Sequence, residues 1–249
     1  DDITANGSGN VTLVLSATDA QLITGDTNDD IVSGSGDISI TADVLTLVGG
    51  NITSTGGALT LQPVSAADTI GLGNTATGDF NLTATELDLL SNGFSSITIG
   101  KTNSGAVDIN AFTFLDPITI LGAAMTVTAL EAAANNITLT STSTIDEAAD
   151  NTTTDITTSG TLALTAVGGA IGASGASGAL DLAVGTLQAT TNSGGIFVLE
   201  SSGLIVGGSG VQTTGGNAEI QITLTAGNLT LADDITANGS GNVTLVLSA

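Results

Sequence analysis

The chain of 249 residues contains no His, no Cys, no Trp and no Tyr, and its one basic side chain is Lys101. Recognition of nucleic-acid phosphates needs clusters of Lys and Arg, so the composition excludes a nucleic-acid partner. The same absences exclude thiol chemistry, zinc binding through His or Cys, and general-base catalysis by His. We therefore predict that the protein is not an enzyme and needs no cofactor.

Acidic and apolar residues are abundant instead. There are 24 Asp and Glu side chains and the net charge is −23, yet 41% of the residues are hydrophobic and the mean hydropathy is +0.44. Disordered acidic chains are poor in apolar residues, so this balance predicts a folded chain. The most apolar stretch, residues 111–130, is interrupted by Asp116 and Pro117, and we expect no insertion into a membrane.

The chain contains a long exact repeat. The seventeen residues DDITANGSGNVTLVLSA occupy positions 1–17 and again positions 233–249. Because chance identity of this length is negligible, we interpret residues 1–232 as one repeat unit and 233–249 as the start of the next, identical unit. A fold that continues across this boundary would join neighbouring repeats end to end.

A shorter motif, Gly-x-apolar-x-apolar, recurs inside the repeat. It occupies 9–13, 36–40, 57–61, 78–82, 105–109, 160–164, 178–182, 195–199, 216–220 and 227–231. Alternation with Val, Ile and Thr predicts short strands with one buried face, and Gly or Asn before each strand suits a turn. Among the buried pairs we expect Val11 with Leu13, Ile38 with Ile40, Leu162 with Leu164 and Leu229 with Leu231.

Strands this short and this regularly spaced predict an all-β fold, a right-handed parallel β-helix, also called a β-solenoid. At about 20 residues per coil, the 232-residue period would form roughly 11–12 coils. The scarcity of aromatic rings, 2% of the residues, suits a narrow interior in which like side chains stack. The competing fold is a β-sandwich of the adhesin type, whose strands are longer.

One segment has a helical pattern. In residues 85–93, Thr85 is predicted to cap a short helix, Leu87 and Leu90 to pack inward, and Gly93 to end it.

The residues of these motifs resemble those of a known family. Gly9-Asn-Val-Thr-Leu13 and Gly160-Thr-Leu-Ala-Leu164 are similar to the coils of filamentous-haemagglutinin-like proteins, which are long bacterial surface proteins. The stretch 79–100, ending Gly-Phe-Ser-Ser-Ile-Thr-Ile-Gly, resembles a recurrent segment of giant repetitive bacterial surface proteins, and the likeness covers about 65–121. It implies secretion, a β-helical shaft, and roles in adhesion or surface filaments.

Two acidic clusters are candidate sites. Asp26, Asn28 and Asp30 have the spacing of ligand positions 1, 3 and 5 of an EF-hand-like calcium-binding loop, and Asp37 falls at position 12. These four residues are therefore the predicted metal ligands. Ile31 stands where such loops have Gly, and an acidic loop in solvent is the alternative. The second cluster is Asp146, Glu147 and Asp150. Paired carboxylates can hydrolyse glycosides, but the basic and aromatic partners of such sites are missing.

The expected function is structural. The chain would be a shaft segment of a giant secreted adhesin or extracellular filament at the bacterial cell surface, supporting adhesion or cell–cell contact. Because each period carries a net charge of −21, lateral association would need bridging divalent cations. The alternative is a solenoid module that directly binds polysaccharide or a host or partner protein, assisted by calcium.

Overall fold

The computed structural model describes residues 2–248. The chain is all-β, with parallel strands stacked as a β-solenoid of about 10 turns, which confirms the predicted fold class. The right-handedness of the helix stays a prediction. Two compact units are present, Asp1–Gly122 and Ala123–Ala249, here called the first and the second unit. Among the described residues, no helix has the length and apolarity to cross a membrane.

The first unit contains fourteen strands and one short helix among its described residues. They are β1 (Ile3–Ala5), β2 (Val11–Val14), β3 (Gln21–Thr24), β4 (Ile31–Ser33), β5 (Ile38–Thr41), β6 (Val44–Leu47), β7 (Ile52–Thr53), β8 (Ala58–Gln62), β9 (Ile70–Leu72), β10 (Phe80–Leu82), α1 (Ala84–Leu87), β11 (Ser96–Gly100), β12 (Val107–Ile109), β13 (Phe112–Thr113) and β14 (Ile118–Gly122).

Parallel pairing in this unit follows the Gly-led motifs. Along β2-β5-β8-β11-β14 the register partners are Val11, Ile38, Leu59, Ile97 and Ile118. Like apolar residues therefore stack from turn to turn, and their side chains form the core. Two further ladders, β1-β4-β7 and β10-β9-β12, are built in the same way.

The second unit contains the remaining strands. They are β15 (Met125–Val127), β16 (Leu130–Glu131), β17 (Ile137–Ser141), β18 (Ile145–Glu147), β19 (Ile156–Ala166), β20 (Leu180–Thr191), β21 (Ile196–Glu200), β22 (Leu204–Thr213), β23 (Ile220–Leu224), β24 (Leu229–Leu231), β25 (Ile235–Thr236) and β26 (Val243–Leu247). Its ladders include β17-β19-β20 and β21-β23-β26, and β22 pairs with β20, β24 and β25.

Several turns are longer than predicted. Asn10 and Asp37, which are hydrogen-bonded between consecutive turns, are 27 residues apart in the chain. The turn between β8 and β11 is longer still, because β9, β10 and α1 are inserted between the register partners Leu59 and Ile97. The expected length of about 20 residues per turn was therefore too short. The solenoid has about 10 turns where 11–12 were predicted.

Some strands are also longer than the short strands that the motif predicts. β19, β20 and β22 have 11, 12 and 10 residues. β19 and β20 stay paired through a register shift between Thr158 and Thr161. Hydrogen bonding thus continues past a point at which the sequence, with Ser159 and Gly160, indicates a break.

The core consists largely of the expected apolar positions. Ile38, Ile40 and Leu162 are fully buried, as predicted. Leu231 is an exception, since 57% of its side chain is exposed. It lies in β24, where its register partner is Val206 of β22. Leu13 and Leu229, in the first and last turns, are only half-buried. Alternation alone does not tell a strand in a terminal turn from one inside the stack.

A short helix is confirmed, but both of its predicted ends are wrong: the N-cap is Thr83 and not Thr85, and the helix ends at Leu87 with Asp88 as its C-cap and not at Gly93. Thr83 accepts a hydrogen bond from the Glu86 amide at 3.3 Å, and the Glu86 carboxylate accepts one from the Thr83 amide at 2.9 Å. This reciprocal capping box satisfies two amides, so the helix begins earlier than predicted. Leu87 and Leu90 are buried, as predicted.

Candidate functional site

Three buried carboxylates meet inside the second unit. Glu147, Asp155 and Asp181, the acidic triad, each offer an oxygen atom, and these atoms lie within 4.8 Å of one another. Only 6%, 3% and 3% of the three residues is exposed. Buried acids are rare unless they are paired or bind a metal, so the triad is the strongest chemical feature of the described residues.

The ladder brings two members of the triad together. Ile156 of β19 is the register partner of Leu182 of β20, so the preceding residues, Asp155 and Asp181, stack in consecutive turns. The Asp155 amide donates to the Asp181 carbonyl at 2.8 Å, and the Asp181 amide donates to Asp155 Oδ2 at 3.0 Å. Glu147 is the last residue of β18, and the loop that follows it leads to Asp155.

The triad is only partly hydrogen-bonded, because Asp155 Oδ2 accepts from the Asp181 amide and Glu147 Oε2 accepts from the Asn151 amide at 3.4 Å, but other oxygens have no donor in the described part of the chain. Among residues 2–248, Glu147 Oε1 and both Asp181 carboxylate oxygens have no hydrogen-bond partner. By contrast, the fully buried Glu200 accepts from the Ser202 amide at 2.9 Å and from the Val184 amide at 3.1 Å. The burial of Glu200 is therefore explained by its bonds to the backbone, but the burial of the triad is not.

Burial shifts the titration of all three groups. Loss of hydration raises the pKa of Glu147 to about 7 and the pKa of Asp155 to about 7, and in both cases the neighbouring carboxylates add to the shift. Loss of hydration alone raises the pKa of Asp181 to about 6. Asp146 and Asp150 lie near Glu147 and act on its pKa in the same direction. The fold thus holds acidic groups where neither water nor a cationic side chain stabilises their charge.

These pKa shifts predict that stability falls as pH rises through neutrality in a metal-free buffer. Unfolded carboxyls titrate near pH 4, at about 3.9–4.3. Between there and pH 7 the folded chain binds more protons than the unfolded chain, so the free energy of unfolding decreases with pH. The measurement is urea unfolding in chelator at pH 5 and pH 7.5. The triple variant Glu147→Gln, Asp155→Asn, Asp181→Asn should show a weaker pH dependence, and equal stability of the natural chain at both pH values would contradict this account.

The carboxylates among the sequence-predicted calcium ligands accept hydrogen bonds from backbone amides. Asp26 Oδ1 accepts from the Asn28 amide at 2.7 Å within one turn. Asp30 Oδ1 accepts from the Asn51 amide at 2.7 Å, and Asp37 Oδ1 accepts from the Ala58 amide at 2.8 Å. Within residues 2–248, the carboxylates of Asp26, Asp30 and Asp37 do not form a group as tight as the triad. Calcium at these four residues stays a prediction.

The sequence pattern indicates one member of the triad, Glu147, but not Asp155 or Asp181. Glu147 was recognised, but with Asp146 and Asp150 beside it in the chain. Asp155 and Asp181 are 26 residues apart, and only the length of one turn brings them together. The available signal was Leu-Asp-Leu at 180–182, where alternation predicts that Asp points to solvent, whereas all three residues are buried.

Two cavities adjoin the features described so far. In the second unit, a cavity of about 450 Å³ is lined by Asp181 and by hydroxyl side chains of Thr152, Thr154, Ser201 and Thr223. In the first unit, a cavity of about 260 Å³ is lined by apolar residues that include Phe112, Phe114 and Leu115, and by Asp88 and Asp116. The two rings meet edge to face with centroids 4.9 Å apart.

The duplicated peptide has a similar conformation in both units. In the first copy, Ile3–Ala5 and Val11–Val14 are strands, and in the second copy Ile235–Thr236 and Val243–Leu247 are strands. The intervening Gly7 and Gly239 have φ values of +64° and +63°. The copies differ in their partners, because β2 pairs with β5, which follows it, and β26 pairs with β23, which precedes it.

We compared the chain with protein-family models, with curated proteins and with solved structures, and none of them matches. What the molecule does is therefore inferred from its own residues and their arrangement.

Proposed function

We propose that the chain is a structural shaft segment of a giant secreted bacterial surface protein, an adhesin or an extracellular filament that supports adhesion or cell–cell contact. One observation carries the structural part of this proposal. The duplicated peptide forms the same two strands in two places and pairs through opposite edges. A repeat with two complementary edges can extend without limit.

The hydrogen bonds of the two copies are complementary. In the first copy, the amides of Ile3 and Val11 donate to the Asp30 and Asp37 carbonyls of the following turn, each at 2.9 Å. In the second copy, the Asp234 carbonyl accepts from the Val211 amide of the preceding turn, also at 2.9 Å. Asp234 is the same repeat position as Asp2. Each repeat would therefore accept from the turn before it and donate to the turn after it.

Burial supports the same arrangement. Val11 is 5% exposed in the first copy, whereas its equivalent Val243 is 43% exposed in the second. A following turn covers β2 through β5, and the next repeat would supply the same cover for β26. Stacking of the next repeat would also bury Leu245 and Leu247, which are 38% and 54% exposed. The apolar area removed from water is the driving force for this end-to-end contact.

The surface location and the adhesive role rest on the resemblance of the motifs to filamentous-haemagglutinin-like proteins. The charge of −23 supports a chain that is extended and repels its neighbours. Under this proposal, bundling of shafts depends on divalent cations between their acidic surfaces.

The proposal predicts that recombinant chains of one, two and three periods form rods whose length grows linearly. Each added turn contributes about 4.8 Å, which is the spacing of hydrogen-bonded strands. Electron microscopy of negatively stained particles measures this length, and circular dichroism checks that the strand content per residue is constant. Compact particles joined by flexible links, with no fixed increment per period, would overturn the proposal.

Direct binding of polysaccharide or of a partner protein is the second candidate function. The cavity beside Phe112 and Phe114 favours it, because Leu115 in its lining is 57% exposed. The two functions can be distinguished by the number of periods that each requires. A shaft needs several periods to act, whereas a binding module would bind its ligand as a single period.

A further inference from the structure

We propose that Glu147, Asp155 and Asp181 bind one divalent cation of the hard, oxygen-preferring class, and that calcium fits the site best. This site is independent of the shaft function and of the loop at Asp26–Asp37. Its consequence would be structural, because one ion would tie the end of β18 to the starts of β19 and β20.

The spacing of the oxygen atoms suits calcium. Calcium–oxygen distances are about 2.3–2.6 Å, so two ligands on opposite sides of the ion are up to about 5 Å apart. The oxygen atoms of the triad lie within 4.8 Å of one another, which is in the range of separations between ligands of a single calcium ion. Magnesium, at about 2.0–2.1 Å, holds opposite ligands only about 4.2 Å apart and demands near-ideal octahedral geometry. Calcium, whose coordination geometry is flexible, therefore demands less of the arrangement of the triad than magnesium does.

The unsatisfied oxygen atoms are a second and independent indication of a ligand. Asp181 is almost completely buried, since its exposure is 3%, and neither of its carboxylate oxygens has a hydrogen-bond partner in residues 2–248. Glu147 Oε1 is in the same state. An unpaired buried carboxylate is far more costly than one that coordinates a metal. Either carboxylate oxygen of Asp181 therefore has lone pairs that can coordinate a cation.

No basic side chain can neutralise the triad. The single one in the sequence, Lys101, lies in the first unit, where its Nζ donates to the Val64 carbonyl at 2.8 Å. The charge of the three carboxylates must therefore be balanced by protons or by a cation from solution. Stacking of like charges on a ladder is otherwise destabilising.

A cavity adjoins the triad. The cavity of about 450 Å³ that Asp181 lines opens beside the hydroxyls of Thr152, Thr154 and Ser201. Calcium takes six to eight oxygen ligands, and water can supply those that the carboxylates do not. The cavity is large enough for such water, and the Thr and Ser hydroxyls on its mainly apolar wall can hydrogen-bond to it.

The test is calcium titration of the intact chain after treatment with chelator, followed by isothermal calorimetry and by thermal unfolding at pH 7.5. We expect the natural chain to bind one calcium ion at the triad. In Asp181→Asn and in Glu147→Gln, the calcium affinity of this site should fall about tenfold or more, or binding should be lost. Glu200→Gln is the matched control, because Glu200 is equally buried but saturated with donors. Asp30→Asn is the control for the acidic loop. Both controls should leave the affinity of this site unchanged.

Hydrogen exchange of the natural chain provides a readout that needs no variant. Calcium should slow exchange of the Asp155 and Asp181 amides, which lie in the ladder beneath the ion. Two results would overturn the proposal. In one, calcium binding is abolished by Asp30→Asn and insensitive to Asp181→Asn. In the other, calcium neither binds nor slows exchange, which would mean that protons alone neutralise the carboxylates.

Discussion

Replacing Leu164 by Asp should destabilise the second unit by about 3–5 kcal/mol, the range expected when a charge is left buried without compensation. Leu164 is 2% exposed and lies between its register partners Leu139 and Ala189. The carboxylate would be enclosed by apolar side chains of the turns before and after it. With net stabilities of only about 5–15 kcal/mol, a loss of this size is readily measured by urea unfolding.

The matched control for this substitution is Thr165→Asp, one residue further along the same strand. Thr165 is half-buried, and it pairs in register with Thr140 and Thr190. Side chains alternate between the two faces of a strand, so the new carboxylate would point away from the core. The expected cost is within about 0.5 kcal/mol, as for other surface changes. Equal unfolding curves for the natural chain and Leu164→Asp would show that the assignment of the strand faces is wrong.

Most of the fold could be predicted because it depends on local pattern. The Gly-x-apolar-x-apolar motif gives both the turn before a strand and the face that the strand buries, and Ile38 and Ile40 follow it. The number of turns could not be obtained in the same way. It depends on how many residues each loop uses between stacked strands. The motif at 78–82 forms β10, which pairs with β9 and lies between the register partners Leu59 and Ile97, so the motifs do not mark one turn each.

The acidic triad was hidden for a related reason. Its members become neighbours only after the turn length is known, since Asp155 and Asp181 are separated by one full turn. The sequence also predicts that an Asp between two Leu residues is exposed. That rule fails for Leu180, Asp181 and Leu182, all of which are buried. The sequence-predicted loop, by contrast, was found by its spacing along the chain, which does not show whether the carboxylates converge.

The second large effect concerns the glycines that precede the strands. A methyl group added at Gly57 would overlap the Gly36 carbonyl oxygen, and one added at Gly36 would overlap the Gly9 carbonyl oxygen. These glycines stack in successive turns, and the backbone of one turn occupies the space that a side chain of the next would need. An Ala at such a position would force the turns apart, at a cost of about 1–3 kcal/mol.

The duplicated peptide contains this glycine twice, in identical sequence and in different surroundings. A methyl group at Gly241 would overlap the carbonyl oxygen of Ala218 in the preceding turn. At Gly9 the nearest atom would be the Asn6 carbonyl oxygen, 3.3 Å away and within the same turn. Both glycines have backbone conformations that alanine can adopt, since neither is among the residues with positive φ. The difference therefore isolates the effect of the stacked turn.

The central claim is that the duplicated segment stacks on the turn before it, as each repeat of a shaft must. The most direct measurement is hydrogen exchange of the ladder amides in two variants, Gly241→Ala and Gly9→Ala, of the isolated 249-residue chain, in which the atoms nearest Gly9 belong to its own turn. Gly241→Ala should speed exchange of the Ile220 amide, which donates to the Asn242 carbonyl at 2.8 Å. The expected factor is about 5 to about 160, corresponding to the cost of about 1–3 kcal/mol. Gly9→Ala should leave the Val11 amide, bonded to the Asp37 carbonyl, nearly unchanged. Equal effects of the two substitutions would contradict the claim that the repeats stack into one continuous ladder.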